Sequence, residues 1–182
     1  MLKKVALTCL LVTVCLCATA VWAADGFTLC KSKYALCTTA KCTPIPGQKG
    51  QVSCPCDVKT GYSASQKACE DRKVTSTGQL KSRYFPVKYY AVCSNDRPWA
   101  WCLDKACTVD KDNPSKASCA CTLVKDQGPY VVVVDKYNDR TCTTHIWSSA
   151  TVQAITQITD FLKTQDKLKP FPIKVVNSQD QK

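Results

Sequence analysis

Apolar residues crowd one end of the chain, running from Val5 to Val21 behind Lys3 and Lys4 before small residues take over. A basic start, an apolar middle and a small-residue exit predict a secretory signal peptide over residues 1–23. Val21 and Ala23 suit signal peptidase, which puts the cut between Ala23 and Ala24. A retained anchor competes, because the run nears the roughly 18 residues that can cross a bilayer, although no basic stop-transfer cluster follows. Cys9, Cys15 and Cys17 follow Thr8, Val14 and Leu16, which are not the small residues that a bacterial lipoprotein cut needs.

Downstream, the apolar positions come in short pieces. Stretches from Tyr84 to Val92 and from Tyr130 to Asp135 read as strands, and the Val131-Val132-Val133-Val134 run favours a pleated, buried one. The segments from Thr43 to Gln51 and from Thr108 to Lys116 carry Pro, Gly, Asn and Asp. They predict hairpins that bring Cys42 near Cys54 and Cys107 near Cys119. Val152, Ile155, Ile158 and Leu162, with Phe161 beside them, recur at steps of three or four. This predicts an amphipathic helix capped by Ser148 or Ser149, ending before Pro170 and packed on the second half of the chain. Residues 167–182 read as a polar, mobile tail.

Cysteine spacing turns these pieces into an architecture. Cys30, Cys37, Cys42, Cys54, Cys56 and Cys69 are separated by 7, 5, 12, 2 and 13 residues; Cys93, Cys102, Cys107, Cys119, Cys121 and Cys142 by 9, 5, 12, 2 and 21. Identical central steps imply two tandem copies of one six-cysteine unit, residues 24–88 and 89–166, the second ending in the helix. The expected fold class is small, disulfide-rich and mainly β or irregular, with the chain's stability resting on staples more than on core size. Export, an even count of twelve after leader removal and regular spacing make disulfides the expected state. Their pairing stays open, except that Cys54 with Cys56, and Cys119 with Cys121, are too close to bridge comfortably and share a strand face. Zinc is a rival, but the C-x4-C and C-x-C halves fit structural knuckles poorly.

Charge adds a partner class. Of 25 Lys and Arg against 14 Asp and Glu, the leader removes two lysines, leaving 23 against 14. A basic surface suits an acidic glycan, a lipid head group or a protein partner, with nucleic acid a less natural target for an exported chain. A loose cluster of Lys81, Arg83 and Lys88 is interleaved with Tyr84, Phe85 and Tyr89.

Catalytic signatures do not emerge. His145 is the sole histidine, Arg72 holds the matching place in the first copy, and Ser148 and Ser149 near it are adjacent only in sequence. No nucleophile elbow, zinc-protease motif or phosphate loop occurs. Asp110, Asp112 and Asn113 lack the glycine and glutamate of a calcium loop and read as an Asx-rich turn. Trp99, Trp101 and Trp147, all in the second copy, are the candidate binding surface. Trp99 and Trp101 would share a strand face where indoles can stack on a sugar or anchor an interface, with packing over a disulfide as the alternative. Tyr34 and Leu36 hold the comparable places before Cys37.

The expectation is a secreted or periplasmic, non-enzymatic protein that needs no cofactor and binds an extracytoplasmic macromolecule or surface. One alternative is a protease inhibitor or toxin-like effector presenting Gln48-Lys49-Gly50 or Ser115-Lys116-Ala117. Another is a structural, envelope-associated protein.

Overall fold

A computed structural model describes residues 26–69, 75, 77–85, 89–134, 136–171 and 173–176. The predicted leader lies outside them, as do residues 86–88 within the strand expected from Tyr84 to Val92.

Period-two burial builds the first sheet. Strands β3 (Gln51–Ser65) and β8 (Lys116–Val124) run antiparallel, with Val52, Cys54 and Cys56 of one and Ala117, Cys119 and Cys121 of the other buried together. Gln51, Pro55, Ser118 and Ala120 alternate with them on the exposed face. Cysteine at every second position therefore sends both sulfurs of each pair inward. Strand β2 (Lys41–Pro44) flanks β3 and β7 (Ala106–Val109) flanks β8, each through the predicted hairpin. Gly47 and Gly50, at φ 75° and 76°, make the first turn in a backbone region that favours glycine.

Beyond this centre, β1 (Thr28–Leu36) pairs with the far half of β3 and β6 (Trp99–Trp101) with the end of β8. The sheet is completed by an exchange. Strand β4 (Gln79–Lys81) follows β3 in the chain but pairs with β7, and β10 (Ile146–Trp147), late in the chain, pairs with β2. Isolated bridges Ala35–Ser82 and Ala100–Ser148 then tie both ends back to β1 and β6. The two halves thus share one sheet.

One register recurs 65 residues along the chain. Ser53 and Ser118 are that far apart, and their hydroxyls meet at 2.8 Å. Thr43 lies opposite Ser53 as Thr108 lies opposite Ser118; Tyr34 lies opposite Lys59 as Trp99 lies opposite Val124. At the seam Cys54 faces Cys119, its own counterpart, while Val52 faces Cys121 and Cys56 faces Ala117. This is the pairing expected about a two-fold axis.

The disulfides nest identically in the two sets: first with sixth, second with fifth, third with fourth. Cys37–Cys56 and Cys102–Cys121 each span 19 residues, and Cys42–Cys54 and Cys107–Cys119 each span 12. Cys30–Cys69 and Cys93–Cys142 close the outer loops, spanning 39 and 49. The four inner bridges crowd together across the seam. Cys37 Sγ lies 3.4 Å from Cys119 Sγ, and the sulfurs of Cys37, Cys107 and Cys119 all lie within 4.8 Å of one another. Val52, Leu80, Ala35 and Ala100 complete this core.

A second sheet of four strands orders β11 (Ser149–Thr151), β9 (Tyr130–Val133), β5 (Tyr89–Cys93) and β12 (Lys174–Val175). Strand β9 is buried on both faces, which explains its apolar run: Val131 and Val133 pack with Tyr90, and Tyr130 and Val132 with Ala91, Cys93 and Trp99. Lys174 and Val175 fall within the stretch read as a polar tail, yet they pair in parallel with Tyr89 and Tyr90. Leu168 and Phe171, apolar residues in that stretch, hold the approach to β12 against Ile158 and Leu162.

The helix α1 (Val152–Lys163) begins later than the serine caps imply, because the backbone stays extended through β11. Thr151 is the cap, its hydroxyl accepting from the Ala154 N–H at 3.1 Å. Ile158 and Leu162 are buried, but Val152 at the start of the apolar series is 43% exposed. Packing also extends beyond the second half: Phe27, Leu29 and Ala64 join the same cluster, with the Phe27 and Phe161 rings 5.8 Å apart.

Thr151→Ala should lower stability to denaturant by about 1 kcal/mol through loss of the cap. Ser149→Ala should leave it unchanged or raise it, because the Ser149 hydroxyl is buried with no hydrogen-bond partner among the described residues. Equal losses from both, measured by urea unfolding, would contradict this assignment of the cap.

Candidate functional site

The three tryptophans occupy different environments. Trp99 and Trp101 share a face of β6, their rings meeting edge-on at 6.3 Å, but Trp99 is 3% exposed and stacks on Tyr130. It packs in one cluster with Cys93, Cys142 and Trp147, over the outer disulfide of the second set. Trp101 is half-buried and lines a partly open, mainly apolar cavity of about 60 Å³ beside α1, with Leu103, Val131, Ile155 and Ile158. Arg83, Tyr84 and Ser149 also reach this cavity. The buried Arg83 donates from Nε to Ser63 Oγ at 2.8 Å and from Nη2 to the carbonyls of Thr28 and Ser63. That member of the loose basic cluster is therefore a packing element.

Trp147 lies at a surface recess. Its indole N–H donates to the Thr141 carbonyl at 2.8 Å, Lys41 Nζ sits 5.3 Å from its ring centroid, and the His145 ring meets it edge-on at 5.7 Å. The recess, about 350 Å³, is lined by Lys41, Lys136, Arg140 and His145 together with Asn138, Thr141 and Thr144. Among the described residues no carboxylate lines it and none of its cations makes an ion pair.

The segment forming this recess is tied down from within. Asn138 Oδ1 accepts from Arg140 N–H, the Thr141 N–H donates to the Asn138 carbonyl, and both the backbone and hydroxyl of Thr144 donate to the Arg140 carbonyl. Asn95 Nδ2 donates to the Cys142 carbonyl, and Cys142 is bridged to Cys93. His145 has φ 61°, the left-handed region, which a non-glycine residue holds only when its surroundings impose it.

Beside this recess, sharing Lys41 with it, is a broad concavity of about 650 Å³ on the exposed face of β2, β3, β8 and β7. Thr43, Ser53, Ser118 and Thr108 carry hydroxyls across it from strand to strand. Along its border Lys116 Nζ lies 2.7 Å from Asp57 Oδ1. The hydrogen bond from Lys116, with Lys59 assisting, holds the Asp57 carboxyl below the ordinary carboxylate range.

Other candidates resolve into structure. The crowded sulfurs belong to disulfides, Asp110 Oδ1 accepts the backbone N–H groups of Asp112 and Asn113 in an Asx turn, and the Ser149 hydroxyl makes no hydrogen bond among the described residues. Sequence reasoning did not single out Lys41, Lys136 or Arg140. A signal existed: the last interval of the second set is eight residues longer than that of the first, and Lys136 and Arg140 fall in it. No protein-family profile, curated protein or solved structure matches the chain.

Burial pushes the Tyr84 phenol well above the ordinary tyrosine range, and the Tyr90 hydroxyl 2.5 Å away adds to this. Burial also raises Tyr34 and Tyr130, against the opposing charges of Arg83 and Arg97. A raised folded value favours the fold below the unfolded tyrosine pKa of about 10 and loses that contribution as pH climbs through the folded value. Ultraviolet titration should show some tyrosines ionising late, together with alkaline unfolding. A single ionisation near pH 10 (about the unperturbed value) with the fold intact would contradict it.

Proposed function

We propose that the protein is a secreted or periplasmic, non-catalytic binder of an anionic macromolecular surface. The observation that carries this reading is an exposed positive charge left largely unneutralised. Among the described residues the ion pairs use only Lys59, Lys116 and Lys163, while Lys31, Lys33, Lys41, Lys49, Lys125, Lys136 and Arg140 stand exposed without one. Such a field attracts polyanions and raises their local concentration at the surface. The basic-apolar-small pattern of residues 1–23 supports export, and six disulfides suit an oxidising compartment.

The recurring register supports two copies of one six-cysteine unit. Matched spans of 19 and 12 residues, identical nesting and a seam on which counterparts face each other are what duplication of a self-pairing unit would leave. The inhibitor reading finds less support. Lys116 lies within β8 and is ion-paired to Asp57, and Lys49 sits in a turn closed by Gln48 N–H to Ile45 and Gln51 N–H to Gln48. Neither lysine heads an extended, free segment that could add to a protease's sheet.

The test is retention of the oxidised, leader-free protein on an immobilised acidic polysaccharide and on phosphatidylglycerol vesicles, across a salt gradient. Retention at about 50 mM salt and release by about 0.5 M is expected, as ionic screening shortens the range of the field. No retention on either, or retention indifferent to salt, would overturn the proposal.

A further inference from the structure

We propose that the recess beside Trp147 binds one uronate unit of an acidic glycan; this rests on the polyanion-binding reading above and gives it a site. Four groups able to carry positive charge, Lys41, Lys136, Arg140 and His145, converge on it, and among the described residues no carboxylate lines it. Their chemistry is complementary rather than redundant. Arg140 offers a planar fork that matches a carboxylate or sulfate through paired hydrogen bonds, and the lysines offer point charges. Asn138, Thr141 and Thr144 line the same space with polar groups that suit sugar hydroxyls. At about 350 Å³ the recess lies at the small end of ligand sites, which run from roughly 300 Å³ upward.

Part of the wall is tied down before any ligand arrives, which lowers the ordering cost of binding. The Cys93–Cys142 bridge, the Asn95 contact to Cys142, the Trp147 N–H to Thr141 and the left-handed His145 each fix part of its wall. It is also composite. Lys41 comes from β2, brought opposite Trp147 only by the exchange pairing of β10, while Lys136 and Arg140 come from the longer last interval of the second set. The corresponding interval of the first set, Cys56 to Cys69, is eight residues shorter.

A polymer has a continuation. Through Lys41 the recess opens towards the concavity where Thr43, Ser53, Ser118 and Thr108 present hydroxyls. An acidic glycan could seat one charged unit at Arg140 and lay its next units over these hydroxyls and the apolar surface of Pro55 and Ala117 between them, away from Asp110 at the far side of the concavity. A lipid surface matches less well, because a recess reads a projecting group, whereas adsorption to a bilayer calls for a protruding basic face with apolar side chains to insert.

Calorimetry on the oxidised, leader-free chain tests the assignment, with a galacturonate trisaccharide as probe and with sulfate and phosphatidylglycerol vesicles in parallel. Lys136→Gln with Arg140→Gln, both at exposed positions, removes two charges from the recess; Lys31→Gln with Lys33→Gln removes two from β1. A loss of about tenfold or more from the first pair, and under about threefold from the second, is expected for paired charge recognition at one site. Lys41→Gln should weaken binding as well, with unchanged thermal unfolding confirming the fold. Equal losses from both pairs would overturn the site while leaving the polyanion reading intact. Binding to vesicles or free sulfate but not to the trisaccharide would overturn the sugar assignment. Absence of any salt-sensitive binding would remove both readings.

Discussion

Everything else in this molecule hangs on the packing of four disulfides at the seam between β3 and β8. The seam is lined by small side chains, with Val52 and Leu80 the largest apolar residues among the fully enclosed ones, so sulfur fills the space that leucine and phenylalanine fill in larger cores. A bridge closing a loop of about 15 residues restricts the unfolded chain by roughly 3 kcal/mol, and four such bridges lie in one contact cluster. Because inward and outward positions alternate strictly here, fixing the sulfurs also fixes the outer face. The row of hydroxyls across β2, β3, β8 and β7 is a consequence of the covalent layer beneath it.

The same constraint accounts for which spacings repeat and which vary. Intervals of 12 and 2 residues lie inside the hairpins, where one residue more along a strand would turn a cysteine to the wrong face, and the interval of 5 is the short link that leads into each hairpin. The outer intervals lie beyond the hairpins, so they tolerate change. Of the two outer bridges, Cys93–Cys142 closes the longer loop, and that loop carries the basic recess. The proposed binding chemistry is concentrated where the staple permits variation, supported by a strand from the other half.

How much of this is legible in sequence follows from how local each feature is. The hairpins, the β9 run and the helix rest on neighbours within a dozen residues, and turn residues or periodicity reveal them. The nesting of bridges depends on strand parity combined with hairpin closure, so spacing alone leaves it open. The exchange of β4 onto β7 and of β10 onto β2 leaves no local trace, and without it nothing places Lys41 beside Trp147. Trp99 illustrates the limit: an indole in a strand can face ligand or core, and only the position of Tyr130 decides for the core. The stretch after α1 is polar on average, yet Leu168 and Phe171 suffice to seat it.

The most direct test of the disulfide-layer account is peptide mapping of the oxidised protein with fragmentation that separates Cys54 from Cys56 and Cys119 from Cys121. The disulfide layer requires Cys42–Cys54 inside Cys37–Cys56, and Cys107–Cys119 inside Cys102–Cys121. Bridges joining the two sets, or the crossed pairs Cys37–Cys54 and Cys42–Cys56, would contradict it.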